Sequence, residues 1–173
     1  MAYLAVSNQT HQRDRLVVLL WPAYNQTNDR AALRRALAML NATPLSSWLV
    51  VDRETIGLQH SDDVWIDVAQ FGHLLEKVSL RNTSDTTVST DDVTSLSEAV
   101  ALYRGDFMLG FTLWDSPEFD EWQFLRAEIL RRDLGNALDR LVYSRRLLGD
   151  AQAAVNVDRR WVALDILNEE AHR

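Results

Sequence analysis

Apolar positions recur at helical spacing along most of the chain, and only one stretch reads as extended. Behind Thr10 and Asp14, the residues Leu16, Val17, Leu19 and Leu20 form a stripe that predicts a helix ended by Pro22. A second helix follows, with the capping residue types of Asn25 to Asp29 at its start and Leu33, Leu37 and Leu40 on one side of its body, Arg30 to Asn41. At about 100° per residue, Ala31, Arg34, Arg35 and Ala38 face away from that stripe, so the opposite face is small and basic. Trp48 to Val51 and Thr55 to Leu58 are short β runs joined by the polar turn Asp52-Arg53-Glu54, which predicts a hairpin. The segment Met1 to Ser7 reads as the tail of a helix with no capping residue before it.

Beyond Ser61 the period is helical. Trp65, Val68, Phe71, Leu74, Leu75 and Val78 predict an amphipathic helix, Ser79 to Asp92 reads as a polar loop, and Leu96, Val100 and Tyr103 line a further helix. Gly105 is expected to end that helix as a left-handed C′ residue, with Asp106 capping the next turn and Phe107 and Phe111 plugging the core. Ser116-Pro117, followed by the acids Glu118, Asp120 and Glu121, starts a long helix. Its expected buried stripe is Phe119, Trp122, Leu125, Ile129, Leu134, Leu138, Leu141 and Val142, and it runs to Gly149-Asp150, with Gly135 marking a kink or close packing. Trp65, Trp114, Trp122 and Trp161 read as core anchors. Glu128 is placed to pair with Arg132 at helical i,i+4 spacing.

This order of elements gives a mainly α fold. Helix, short connection, second helix with an exposed basic face, then hairpin is the order of a winged helix-turn-helix, whose second helix enters the major groove of DNA. Two amphipathic helices and a hairpin also occur in unrelated α+β domains, so the pattern alone leaves DNA binding open.

Composition bounds the picture further. With 47% apolar and 25% charged residues the chain has globular character, and 173 residues suffice for two small cores. The absence of cysteine removes disulfides, thiolate zinc sites and cysteine nucleophiles. The longest apolar run, Leu16 to Trp21, is far too short to span a bilayer, and no signal-peptide pattern opens the chain, so a cytoplasmic protein without a membrane partner is expected. The Asn-x-Ser/Thr triplets at Asn8, Asn25, Asn41 and Asn82 carry no weight without such a signal. Charge is uneven: residues 1–58 hold six Arg against four acids, net +2, whereas residues 59–173 hold twelve bases against twenty-one acids, net −9. One part can meet a polyanion, and the other would repel it.

Catalytic patterns are missing. His11, His60, His73 and His172 have no metal-ligand or nucleophile-base spacing, and six glycines form no phosphate-binding loop, so neither an enzyme nor a cofactor is expected. The doublets Arg131-Arg132, Arg145-Arg146 and Arg159-Arg160 sit among acids and read as solvated helix faces.

Gly149-Asp150-Ala151, Ala154 and Asp165 are spaced like the second helix of a tetratricopeptide repeat. Together with Ala101 to Phe107, Gly110-Phe111, Glu121-Trp122, Arg126 and the closing Leu167 to Arg173, they resemble the bacterial transcriptional activator domain of antibiotic-regulatory-protein type regulators. Upstream, Leu19 to Pro22 and Leu33 to Leu37 resemble the winged helix that precedes this module in the same family. Trp161 and Ile166 depart from the repeat pattern, which has a small residue and Pro there. The resemblance implies a partial winged helix-turn-helix followed by a tetratricopeptide-like helical bundle. Residues 1–60 would be a DNA-binding domain truncated at its start, residues 61–173 the activator domain, and the chain a fragment of a longer regulator. The implied partners are double-stranded promoter DNA in the full-length protein and protein partners, or a second copy, through the helical module. Thr27, Asn28, Arg30, Arg34 and Arg35 match the recognition helix, and Arg53 would be the wing contact. The competing reading is a protein-interaction module in which the winged helix only packs against the repeats.

Overall fold

The computed structural model describes residues 1–22, 26–59, 61, 63–82, 89–150, 152, 155 and 157, without the side chains of residues 26–29, 81 and 82. It is mostly helical, with one small sheet. The chain divides into two compact units, residues 1–66 with 110–124, and residues 67–109 with 125–173. Among the described residues no helix is long and apolar enough to cross a membrane.

In the first unit, α1 (Ala2–Ser7) ends at Asn8, whose left-handed backbone (φ 50°) stops the helix. A short strand follows that the hydrophobic pattern does not announce, β1 (His11–Gln12). It leads directly into α2 (Arg13–Leu20), which closes when the Trp21 N–H bonds to the Val17 carbonyl at 2.8 Å, one residue before Pro22. Then come α3 (Gln26–Asn41) and a 3₁₀ turn, Pro44–Trp48. Thr43 organises that junction: its hydroxyl donates to the Leu40 carbonyl at 2.7 Å and accepts from the Leu45 N–H at 3.3 Å.

The expected hairpin is present as β2 (Leu49–Val51) and β3 (Thr55–Leu58), with Val51 opposite Ile56 and Leu49 opposite Leu58. β1 pairs with the other edge of β3, His11 opposite Ile56, giving an antiparallel sheet of order β1-β3-β2. Gly57 permits the close approach of Thr10, because a Cβ there would lie 2.8 Å from the Thr10 Cγ2. Leu4, Leu16, Val17, Leu33, Leu37 and Ile56 form the core of this unit. His11 is buried beside it, with Nε2 2.6 Å from the Ser7 hydroxyl. Burial, with a smaller contribution from Arg15, holds its imidazole below the ordinary histidine range.

Residues 110–124 belong to this unit although they lie far downstream. Ser116 is buried and donates its hydroxyl to the Leu19 carbonyl at the end of α2. Its own carbonyl accepts from the N–H groups of Phe119 and Asp120, both at 3.1 Å, so it still opens the helix that follows. Phe119 packs on Phe111 and Trp122 at ring separations of 5.9 and 5.2 Å, and Trp122 meets Tyr3 edge-on at 4.9 Å. Phe107 and Phe111 therefore do not share one plug as the sequence suggested: Phe107 packs on the core of the second unit. Trp65 and Trp114 are not core anchors either, being 61% and 90% exposed, whereas Trp161 lies outside the described residues.

The second unit is built from α4 (Asp67–Asn82), α5 (Thr90–Leu102) and the body of α6 (Pro117–Leu147). The polar stretch from Ser79 is helical through Asn82, and Ser89 caps α5 by accepting from the Asp91 N–H at 3.2 Å. Phe71, Leu74 and Val78 of α4 pack with Leu96, Ala99 and Val100 of α5 and with Leu130, Leu134, Leu138 and Leu141 of α6. With 31 residues, α6 is about 46 Å long. It ends in a Schellman motif: the Asp150 N–H bonds to the Arg145 carbonyl at 2.9 Å, the Gly149 N–H to the Arg146 carbonyl at 3.1 Å, and Gly149 is left-handed at φ 79°.

Four local expectations for this unit are corrected. α5 stops at Leu102 with Tyr103 extended at its C-cap, and Gly105 is not among the left-handed residues. The Asp106 carboxylate accepts from the Tyr103 hydroxyl at 2.9 Å and from Arg131 Nε and Nη2 at 3.0 and 2.6 Å, so it ties α6 to the end of α5. Glu128 pairs with Arg131, one residue earlier than expected, and Arg132 lies 3.8 Å from Asp133. Gly135 is not a point of close packing, since a Cβ there meets nothing within 4 Å. Gly135→Ala is accordingly expected to stabilise the fold by about 0.5–1 kcal/mol, because alanine keeps the helix while losing less backbone entropy than glycine. A thermal melt reads this directly, and a lower midpoint would show that the site is crowded.

Candidate nucleic-acid interface

α3 is anchored on the first core by Leu33 and Leu37, which fixes the direction of the residues between them. Arg34 and Arg35 are exposed, as is Arg30 one turn before Arg34. Side chains four residues apart on a helix share a face, so Arg30 and Arg34 point the same way. The hairpin tip carries Arg53, held in a tight turn by the Asp52 N–H to the Thr55 carbonyl at 2.9 Å and by the Asp52 carboxylate accepting from the Arg53 N–H at 2.6 Å.

These parts meet around one cleft of about 780 Å³, lined by Arg13, Asp14, Arg30, Arg34, Arg53 and Glu54 among others. Of the expected contact residues, Arg30, Arg34 and Arg53 therefore come together. Arg35 is exposed on α3 outside the lining, and the side chains of Thr27 and Asn28 lie outside the described residues.

Arg13 is the member that sequence reading missed. Its backbone N–H bonds to the Glu54 carbonyl at 2.9 Å and its Nε to the Asp52 carbonyl at 3.0 Å, so the start of α2 is stitched to the hairpin turn. The pairing of β1 with β3 creates that proximity. The only signal in the sequence was an arginine immediately before an apolar helical stripe, which is too common to single out.

Four arginines against two acids leave the cleft cationic. Arg30 is paired with Asp14 at 3.2 Å, both side chains being well exposed. The surface offers guanidinium donors from a helix, from the start of the preceding helix and from a hairpin tip, a combination suited to phosphates on both sides of a groove and to base edges between them. Among the described residues no group of three His, Cys, Asp or Glu side chains is placed to hold a metal ion.

Comparison with curated proteins and with solved structures gives no match. A family match exists over residues 66–173, which is more than half of the chain. It begins just before α4 and takes in α5, α6 and everything downstream. The chain belongs to the bacterial transcriptional activator domain family.

Proposed function

We propose that the chain exercises the transcriptional-activator-type role implied by its family through DNA: the first unit is a winged helix whose α3 reads a promoter groove while Arg53 on the hairpin and Arg13 at the start of α2 hold the flanking phosphates. The observation that carries this reading is the convergence of Arg13, Arg30, Arg34 and Arg53, drawn from three elements, on one cleft. The second unit then acts as a tetratricopeptide-like module for protein contacts. No enzymatic step enters this scheme.

The test is a salt series with mixed-sequence duplex DNA. Affinity should fall steeply with salt, and Arg34→Ala and Arg53→Ala should each weaken binding and reduce the logarithmic salt slope by about one. A chain that binds duplex with no salt dependence, or variants that bind as the parent does, would refute the DNA-reading role.

The exposed face of α6 favours a second role, self-association, alongside the first. Leu125, Ile129, Tyr143 and Leu147 lie about 140–180° round the helix from Leu138 and are exposed among the described residues. Apolar side chains grouped on one helical face are suited to meeting a second copy. Light scattering after size exclusion should show a dimer that Ile129→Arg dissociates, and a monomer at high concentration would refute self-association.

A further inference from the structure

Asp14 is, with Glu54, one of two acids on the wall of a cleft that carries four arginines, and it lowers the attraction for phosphate there. Asp14 suits the first turn of α2, but its pairing with Arg30 adds little stability, because the two side chains are 71% and 69% exposed. We infer that Asp14 is a positioning residue that aims the Arg30 guanidinium at base edges, an inference that rests on the DNA-binding reading above.

The contacts show how. Arg30 Nε lies 3.3 Å from Oδ1, and Nη2 lies 3.2 Å from Oδ1 and 3.3 Å from Oδ2. The carboxylate thus occupies the side edge of the guanidinium, made by Nε and Nη2. Guanine is read by the end edge, made by Nη1 and Nη2, which here is turned away from the carboxylate. Among the described residues Arg30 Nη1 has no partner. Asp14 removes rotamer freedom from Arg30 before DNA arrives, so less ordering remains to be done on binding. It also partly neutralises Arg30, diminishing sequence-blind attraction while the base-reading edge stays available. Arg34 and Arg53 supply charge, and the Asp14–Arg30 pair supplies discrimination.

The two effects of Asp14 separate in one experiment on the full chain. A preferred duplex is first selected by the parent protein from a randomised pool, and affinities are then measured for it and for a scrambled duplex. Arg30→Ala should abolish preference at one base-pair position. Asp14→Asn should tighten scrambled binding while the ratio of preferred to scrambled affinity falls about five- to tenfold, and Asp14→Glu should restore part of that ratio. A merely structural aspartate would weaken both duplexes in parallel. If Asp14→Asn keeps the full ratio while Arg30→Ala loses it, the positioning role is overturned and the DNA reading stands. If the parent binds neither duplex in a salt-dependent way, both are overturned.

Discussion

Asp106→Ala is expected to destabilise the chain by about 2–3 kcal/mol, lowering the midpoint of thermal unfolding by roughly 4–12 °C. The carboxylate joins Tyr103 to Arg131, through a two-pronged bond from the guanidinium and a single bond from the phenol. Both charged side chains are mostly buried, 18% and 23% exposed. Removing the acid takes from Arg131 the carboxylate that meets two of its nitrogens and from the Tyr103 hydroxyl the acceptor at 2.9 Å, and part-buried polar groups that lose such bonds carry more of their desolvation cost unrepaid. Burial and then the bond to Asp106 push the Tyr103 hydroxyl above the ordinary tyrosine range, and the Asp106 bond likewise raises Arg131. The phenol therefore stays a donor and the guanidinium stays charged throughout the accessible pH range.

Asp106→Asn provides the graded control, since it keeps an acceptor for Tyr103 but loses the charge that meets Arg131. It should fall between the parent and the alanine variant. Gly105→Ala, next door, should change little, because its backbone is not left-handed and a Cβ there meets nothing within 4 Å. An Asp106→Ala chain that melts with the parent would show that the network contributes no stability.

The contrast between Gly105 and Asp106 shows where sequence reading reaches and where it stops. The helices and the hairpin were legible because their signals are local: leucines one turn apart in α2 and α3, serine and proline ahead of α6, and a polar turn between two β runs. Arg34 stands out locally, on the side of α3 turned away from the leucine stripe, whereas Arg30 and Arg53 stand out only through the family resemblance, as recognition-helix and wing positions.

Interactions across long sequence separations left no such mark. Asp106 and Arg131 are 25 residues apart, and Ser116 is 97 residues from Leu19. A glycine followed by an aspartate reads locally as a helix end, although here the aspartate carries the structure and the glycine does not. β1 is two residues long, below the length at which alternation can be seen, and without it nothing draws Arg13 to the cleft. The membership of residues 110–124 in the first unit is likewise a property of packing. A division at residue 60 follows the pattern of elements but has no means of registering such a return.

On α6 the expected stripe holds at Phe119, Leu134, Leu138, Leu141 and Val142 but fails at Leu125 and Ile129, which are exposed, for a different reason. Phe124, Leu125, Ile129, Leu130, Leu134, Leu138, Tyr143 and Leu147 encircle the helix, so periodicity offers two apolar faces and does not rank them. The buried face is the one that also carries Ala127 and Ala137, small residues that let neighbouring helices approach. Leu138→Ala and Leu125→Ala should therefore differ sharply although the chemistry removed is identical. Leu138 is 0% exposed and belongs to a core of leucines, valines, alanines and two aromatics, so its loss removes the transfer free energy of the side chain and leaves a cavity, costing about 3–5 kcal/mol. Leu125 is 52% exposed, so the cost of its truncation should stay below about 1 kcal/mol, helped by the higher helix propensity of alanine. Denaturant titrations of both variants, run at concentrations where the chain is monomeric, measure the difference, and equal losses would mean that Leu125 is buried within the chain as Leu138 is.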